Sequence, residues 1–280
     1  MIPTWSDHPD LVSFYTRNRN QPEDLYKSEK RFLPELAKRS DSVLDVGCAA
    51  GGFARIWRHY NPAVAYTGVD VSRALIERAR QEQLDRVRFV QGDMSEGLSL
   101  PGRYAHTVQA LGCLHWEPKY EASLRELWRL TDRFLFFDIR LASGLEGEIR
   151  GRQKLELSGP WDGSTTTPYI VVDWAGFVKL IRGLNPRMIL CYGYMGHPAR
   201  SVMHVERSVC FAAFVLEKRR QVEDGVPTSV CLDLPFAWPA GMPKEVIVLP
   251  PPCLDGLLRG SWKPVTPGRE MLDGFSVSAC

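Results

Sequence analysis

The chain has 280 residues, 44% apolar and 24% charged, with a net charge of +2. That is room for one large α/β domain plus extensions, since single domains commonly run to about 250 residues, and the dispersed Lys and Arg lack the concentrated basic footprint of a nucleic-acid binder. No apolar run approaches the roughly 20 residues that span a bilayer, the opening MIPTWSDHPD lacks a charged-then-apolar leader, and seven scattered cysteines without a C-x-x-C fit a reducing cytoplasm better than a disulfide framework.

Residues 1–22 read as irregular and aromatic. Pro22 and Glu23 open a helical pattern through about Lys38, which Pro34 should break or kink. Then comes SVLDVGCAAGGFARIW, Ser42 to Trp57. A short apolar run ends at Gly47, small residues follow through Gly52, and an apolar-periodic helix begins at Phe53. Strand, tight turn and helix in that order open a nucleotide-type cofactor site in an α/β sheet. Its glycines let the backbone approach a ligand, and the helix start presents free N–H groups. A dinucleotide site wants G-x-G-x-x-G, but Gly47, Ala49 and Gly52 stand at those positions, so a methyl group sits where a pyrophosphate would press.

Val64 to Val69 reads as the second strand, with Asp70 and Val71 at its exit and Ser72 placed to cap a helix from Arg73 to about Leu84. A carboxylate at that exit accepts two hydrogen bonds from a ribose. Val87 to Val90 is the third strand, followed by Asp93 and Met94. Ala105 to Leu111 is the fourth, and its exit LGCLHWEP puts Gly112, Cys113 and Leu114 where ligands bind in open sheets. His115 is the candidate general base near pH 7, and Trp116 a candidate substrate wall. A helix from about Pro118 carries Leu124, Leu127 and Leu130 as core. Phe134 to Ile139 is an apolar fifth strand, with Asp138 and Arg140 near its cleft end, placed either to bind substrate or, more simply, to pair with each other.

Residues 142–172 depart from the minimal pattern. Insertions after strands usually build a pocket on a rigid scaffold, and Trp161, Asp162, Thr165 to Thr167 and Tyr169 suit a sugar or, equally, a packed hairpin. A helix from Asp173 to about Leu184 and strands at Met188–Tyr192 and Cys210–Glu217 follow. The tail, 221–280, holds nine of the prolines and two strand-like pieces, near Thr228–Leu234 and Glu245–Leu249. It reads as an appendage packed on the domain or on a second copy of the chain. The six histidines form no H-x-x-x-H pair, and no metal site is expected.

The combination D-x-G-x-x-x-G, at Asp45, Gly47 and Gly51, resembles the first motif of class I S-adenosylmethionine (SAM)-dependent methyltransferases. SAM carries no phosphate, so Ala49 fits. The resemblance covers about Leu25 to Lys218 and is strongest from Val43 to Trp116. It implies an α/β fold with a doubly wound, seven-stranded, mostly parallel sheet whose seventh strand runs antiparallel. It also implies that Asp45, Gly47, Cys48 and Gly51 hold the methionine end, Asp70 and Val71 the ribose, and Asp93 and Met94 the adenine, with Leu111 and Gly112 alongside. The stretch DLYKSEKRFLPEL resembles the helix that covers the cleft in this family, with Tyr26 and Arg31 as substrate contacts beside Trp116, Trp161 and Tyr169. The insertion and tail are also similar to methyltransferases encoded near bacterial surface-polysaccharide pathways.

The expected organisation is a cover segment (1–40), a SAM-binding domain (41–220) and a Pro-rich appendage (221–280). The expected activity is methyl transfer from SAM to a small-molecule oxygen or nitrogen, a sugar among the candidates, with His115 as base. An amino-methylating DNA enzyme would usually show an Asn/Asp-Pro-Pro-aromatic motif after the fourth strand, and none is present. Two readings stand beside it: a non-catalytic SAM-binding scaffold that recruits a partner through its tail, and an NAD-dependent oxidoreductase, which Ala49 disfavours.

Overall fold

Apolar side chains alternate across the first strand, β1 (Ser42–Val46), and this assigns the two faces of the sheet. Leu44 and Val46 pack into one core and Val43 into the other. The computed structural model describes residues 10–156, 165–220, 227–237 and 239, with the strand backbone at 246–249. Beside β1 lie β2 (Ala65–Asp70), β3 (Val87–Gln91), β4 (Ala105–Ala110) and β5 (Thr131–Ala142), all parallel. The later strands are β6 (Glu148–Lys154), β7 (Thr166–Asp173), β8 (Met188–Gly196), β9 (Val202–Met203), β10 (Val209–Glu217), β11 (Thr228–Asp233) and β12 (Val246–Leu249).

The central path runs β3-β2-β1-β4-β5-β10-β8. Only β10 opposes its neighbours, lying antiparallel to both β5 and β8. That is the expected seven-stranded sheet, and five further strands enlarge it. β11 and β12 extend the β8 edge in parallel, so part of the tail is built into the sheet. The insertion forms an antiparallel ribbon, β6 with β7, joined to β5 through β7 and to β9 through β6.

Helices α6 (Tyr120–Leu130) and α7 (Trp174–Gly183) cover one face through Leu124, Leu127, Phe177 and Ile181. Helices α3 (Leu33–Lys38), α4 (Gly52–Tyr60) and α5 (Arg73–Arg80) cover the other through Leu33, Ile56, Trp57 and Ile76. Each such side chain, removed from water, contributes about 1.5–3 kcal/mol.

The N-terminal region differs from the sequence reading in two ways. Residues 11–17 form a helix, α1, that seats Leu11 against Leu75 of α5. The expected cover helix is broken into a 3-10 turn at Pro22–Asp24, α2 (Lys27–Lys30) and α3. Pro34 sits in the first turn of α3, where its missing N–H has no helical partner to lose.

Candidate active site

β1 has β2 on one side and β4 on the other, so the connections leaving β1 and β4 diverge and open a crevice at their carboxyl ends. The turn after β1 is tied down by the second strand: Gly47 and Cys48 donate their N–H groups to the Val69 carbonyl at 2.7 and 3.0 Å. Gly47 has φ +82°, and a Cβ there would lie 3.0 Å from both Cβ and Sγ of Cys113, so only glycine fits between the two loops. Ala49 takes the left-handed conformation at φ +48°, with its N–H donated to Asp70 Oδ2 at 2.9 Å.

The crevice is a cleft of about 810 Å³. Gly47, Cys48, Asp70, Val71, Asp93 and Met94 line it from the exits of β1, β2 and β3, and Leu111 and Gly112 from the exit of β4. His115, Trp116 and Tyr169, a cluster of neighbouring rings, line it as well, as does Tyr26. The two acids stand at the exits of adjacent strands. Asp70 is buried and already accepts the N–H groups of Ala49 and Ser72, each at 2.9 Å. Burial raises its carboxyl above the ordinary range against those N–H donors. A carboxylate has about four lone-pair sites, so two remain for a ligand. Asp93 Oδ1 accepts the Ser95 N–H at 2.8 Å.

Asp45 is a correction. Strand alternation turns its side chain beneath α4, away from the cleft, where it is 2% exposed. There Tyr66 donates its hydroxyl to Oδ2 and Gln109 donates Nε2–H to Oδ1 at 3.0 Å, while Gln109 Oε1 accepts the Trp57 indole N–H at 2.8 Å. Burial pushes the Asp45 carboxyl up to about 6, against the hydrogen bonds from Tyr66 and Gln109. The residue anchors the glycine turn from below and touches no ligand space. Gly51, the N-cap of α4 at φ +83°, also stays out of the cleft: its missing Cβ makes room for the Phe89 ring and Ala79. Arg31 is not among the lining residues either, and Trp161 lies outside the described residues.

His115 is 5% exposed, with its ring 5.3 Å from Tyr169 and 5.5 Å from Trp116. Burial, then the charge of Arg140, pushes its pKa well below the usual histidine value, so the imidazole is neutral at pH 7. Asp138 and Arg140 form a buried ion pair at 2.6 Å, as expected, and Asp138 Oδ1 also accepts the Gly112 N–H at 2.5 Å. Burial works to raise the Asp138 carboxyl, but Arg140, His115 and the Gly112 N–H together hold it below the ordinary range.

Sequence reasoning missed the contribution of the N-terminus. Tyr15, Asn18 and Arg19 line the cleft from α1 and the turn after it. Arg19 bonds Glu29 at 2.5 Å and lies between the rings of Tyr26 and Phe53, 4.5 and 4.9 Å from their centroids. The signal was the aromatic and basic run SFYTRN ahead of a glycine-rich turn. Arg140, read as an ion-pair partner, lines the cleft as well.

A family model described as a methyltransferase domain matches residues 43–133. Among curated relatives, a trans-aconitate 2-methyltransferase of Paracidovorax citrulli is 30% identical over 86 residues, 31% of this chain and 33% of that one. A malonyl-[acyl-carrier protein] O-methyltransferase of Enterobacter lignolyticus is 31% identical over 94 residues, 34% of this chain and 36% of that one. The matched stretches thus span about a third of the length of these curated relatives. Among solved structures, the N-terminal domain of EvdMO1 with S-adenosylhomocysteine (SAH) bound is similar over 67% of this chain and 81% of that one, at 15% identity and a TM-score of 0.48.

Proposed function

We propose that the chain, whose residues 43–133 match a family model described as a methyltransferase domain, is a class I, SAM-dependent enzyme that transfers a methyl group from SAM to an oxygen or nitrogen of a small-molecule acceptor. The observation that carries the reading is the meeting of Gly47, Asp70 and Asp93 in a single cleft, within the stretch the family model matches. The cleft volume lies in the ordinary small-molecule range and admits a cofactor together with an acceptor.

The residues present fit SAM. Asp70 has lone pairs left for ribose hydroxyls. Asp93 with Met94 offers a carboxylate and an apolar, polarisable side chain to a purine. The N–H groups of Gly47, Cys48 and Ala49 are engaged within the protein, so it is the start of α4 that can offer N–H groups to a carboxylate. When bound, SAM supplies a methyl group already activated on a sulfonium. The chain's own work is to position the acceptor and exclude water. Neutral His115 can accept a proton from a hydroxyl or an ammonium, which keeps it as the candidate base.

The two relatives are named for methyl transfer to trans-aconitate and to malonyl-acyl carrier protein, which supports an acceptor other than nucleic acid. The insertion strands β6 and β7 contribute residues from Arg152 to Lys154 and Thr166, Pro168 and Tyr169 to the cleft lining, which supports a part for them in holding the acceptor. The test is incubation with methyl-labelled SAM and a panel of small acceptors, separating product from SAH. Labelled product is the expected result. SAH binding with no consumption of SAM across the panel would favour the scaffold reading.

A further inference from the structure

Around His115 the cleft is unbalanced between donors and acceptors. The Gln153 side-chain carbonyl takes the Trp116 indole N–H at 3.1 Å. The Tyr169 hydroxyl is hydrogen-bonded to Arg140. Asp138, behind them, is committed at both oxygens to Gly112 and Arg140. Beside Tyr169, Nε of Arg140 and Nδ1 of His115 are buried without a hydrogen-bond partner, as is Nε of Arg19, another residue that lines the cleft. The side chain of Arg140 is 8% exposed. A buried guanidinium donor left unmatched has lost its water without a replacement, and a charged group loses more by this than a neutral one.

The missing component is therefore an acceptor-rich group. A hydroxyl can meet such a donor, but it also brings a donor of its own. A carboxylate brings only acceptors, and guanidinium is its natural planar partner. Asp138 neutralises part of the Arg140 charge, so the gain comes from hydrogen bonds made in a dry floor rather than from net charge alone. The neighbouring wall, β6, adds Arg152 and Lys154 against Glu156, which leaves that side of the cleft positive.

Resting on the methyl-transfer reading, we propose that the acceptor carries a carboxylate and that Arg140 receives it beside His115. On this proposal the acceptor is an organic acid, where the sequence alone had a sugar among the candidates.

The experiment measures binding, not turnover. Protein saturated with SAH is titrated, at fixed ionic strength, with benzoate, succinate and trans-aconitate, each paired with its methyl ester. The proposal expects at least one acid to bind tenfold or more tightly than its ester. Arg140→Lys should lose at least tenfold of that affinity while SAH affinity stays within about twofold. Because Arg140→Gln alone would strand the Asp138 charge, the double variant Arg140→Gln/Asp138→Asn serves as the second test and should abolish the preference. If no acid is preferred over its ester, or if both variants keep the preference, the proposal is overturned. Wild-type protein that ignores SAH yet still selects acids over esters would sink the methyl-transfer reading and leave the anion site standing.

Discussion

At the scale of single residues, Asp45 and Asp70 separate anchoring from binding. Both are acids at strand ends beside the glycine turn, yet one faces the core and the other the cleft. Asp45→Asn keeps a carbonyl for Gln109 and an amide that can donate to Tyr66. It should leave SAH affinity within about twofold. Its effect is on stability. The folded carboxyl titrates near 6, above its unfolded value, so its favourable contribution is complete below about pH 4 and is lost as pH rises through 6. Urea unfolding at pH 8 should find Asp45→Asn more stable than wild type, by up to the order of 2–3 kcal/mol, with the difference vanishing near pH 4. An Asn variant that lost tenfold in SAH affinity would return Asp45 to the ligand. His115 supplies a second prediction: because burial and the Arg140 charge hold its pKa well below the usual histidine value, the pH profile of kcat should show no inflection at that usual value. His115→Ala should lower kcat and leave the SAH dissociation constant unchanged.

At the scale of elements, the β1-turn-α4-β2 unit was legible because its chemistry is local. Glycine at positive φ, a Ser72 side chain that caps α5, and an acid at a strand exit are each dictated by neighbours a few residues away. Asp45 was legible in principle, since period-two alternation from Val43 already places it on the covered face. What was not legible is how distant segments converge. The run SFYTRN shows aromatic and basic chemistry, but it does not say that α1 will lie on α5 and carry Tyr15 and Arg19 into the cleft, because that packing depends on Leu75 and Ala50 far along the chain. Glu29 is fully buried and takes both Arg19 and the Tyr26 N–H. Arg19→Ala strands that carboxylate and should destabilise the protein by about 3 kcal/mol. Adding Glu29→Gln should recover much of the stability in a double-mutant cycle but not the SAH affinity, since the cleft would still lack Arg19. Full recovery of both would reduce Arg19 to a structural role.

At the scale of the molecule, the chain places a variable wall on a common floor. The seven-strand path positions the turn and the two acids, and β6, β7 and β9 line the cleft as an addition between β5 and β10. The tail has a different part. Val230 and Cys231 of β11 are fully buried against the sheet, yet among the described residues none beyond Phe211 lines the cleft. Truncation after Arg220 should therefore lower Tm by several degrees, as the loss of two buried side chains predicts, and leave SAH affinity within about twofold.

The central claim is that this cleft holds SAM through Asp70, and calorimetric titration with SAH tests it most directly. The wild-type protein should bind with a dissociation constant on the order of micromolar. Asp70→Ala should weaken that binding at least tenfold, and Asp45→Asn should leave it intact. No binding by the wild-type protein, or equal binding by Asp70→Ala, would contradict the account.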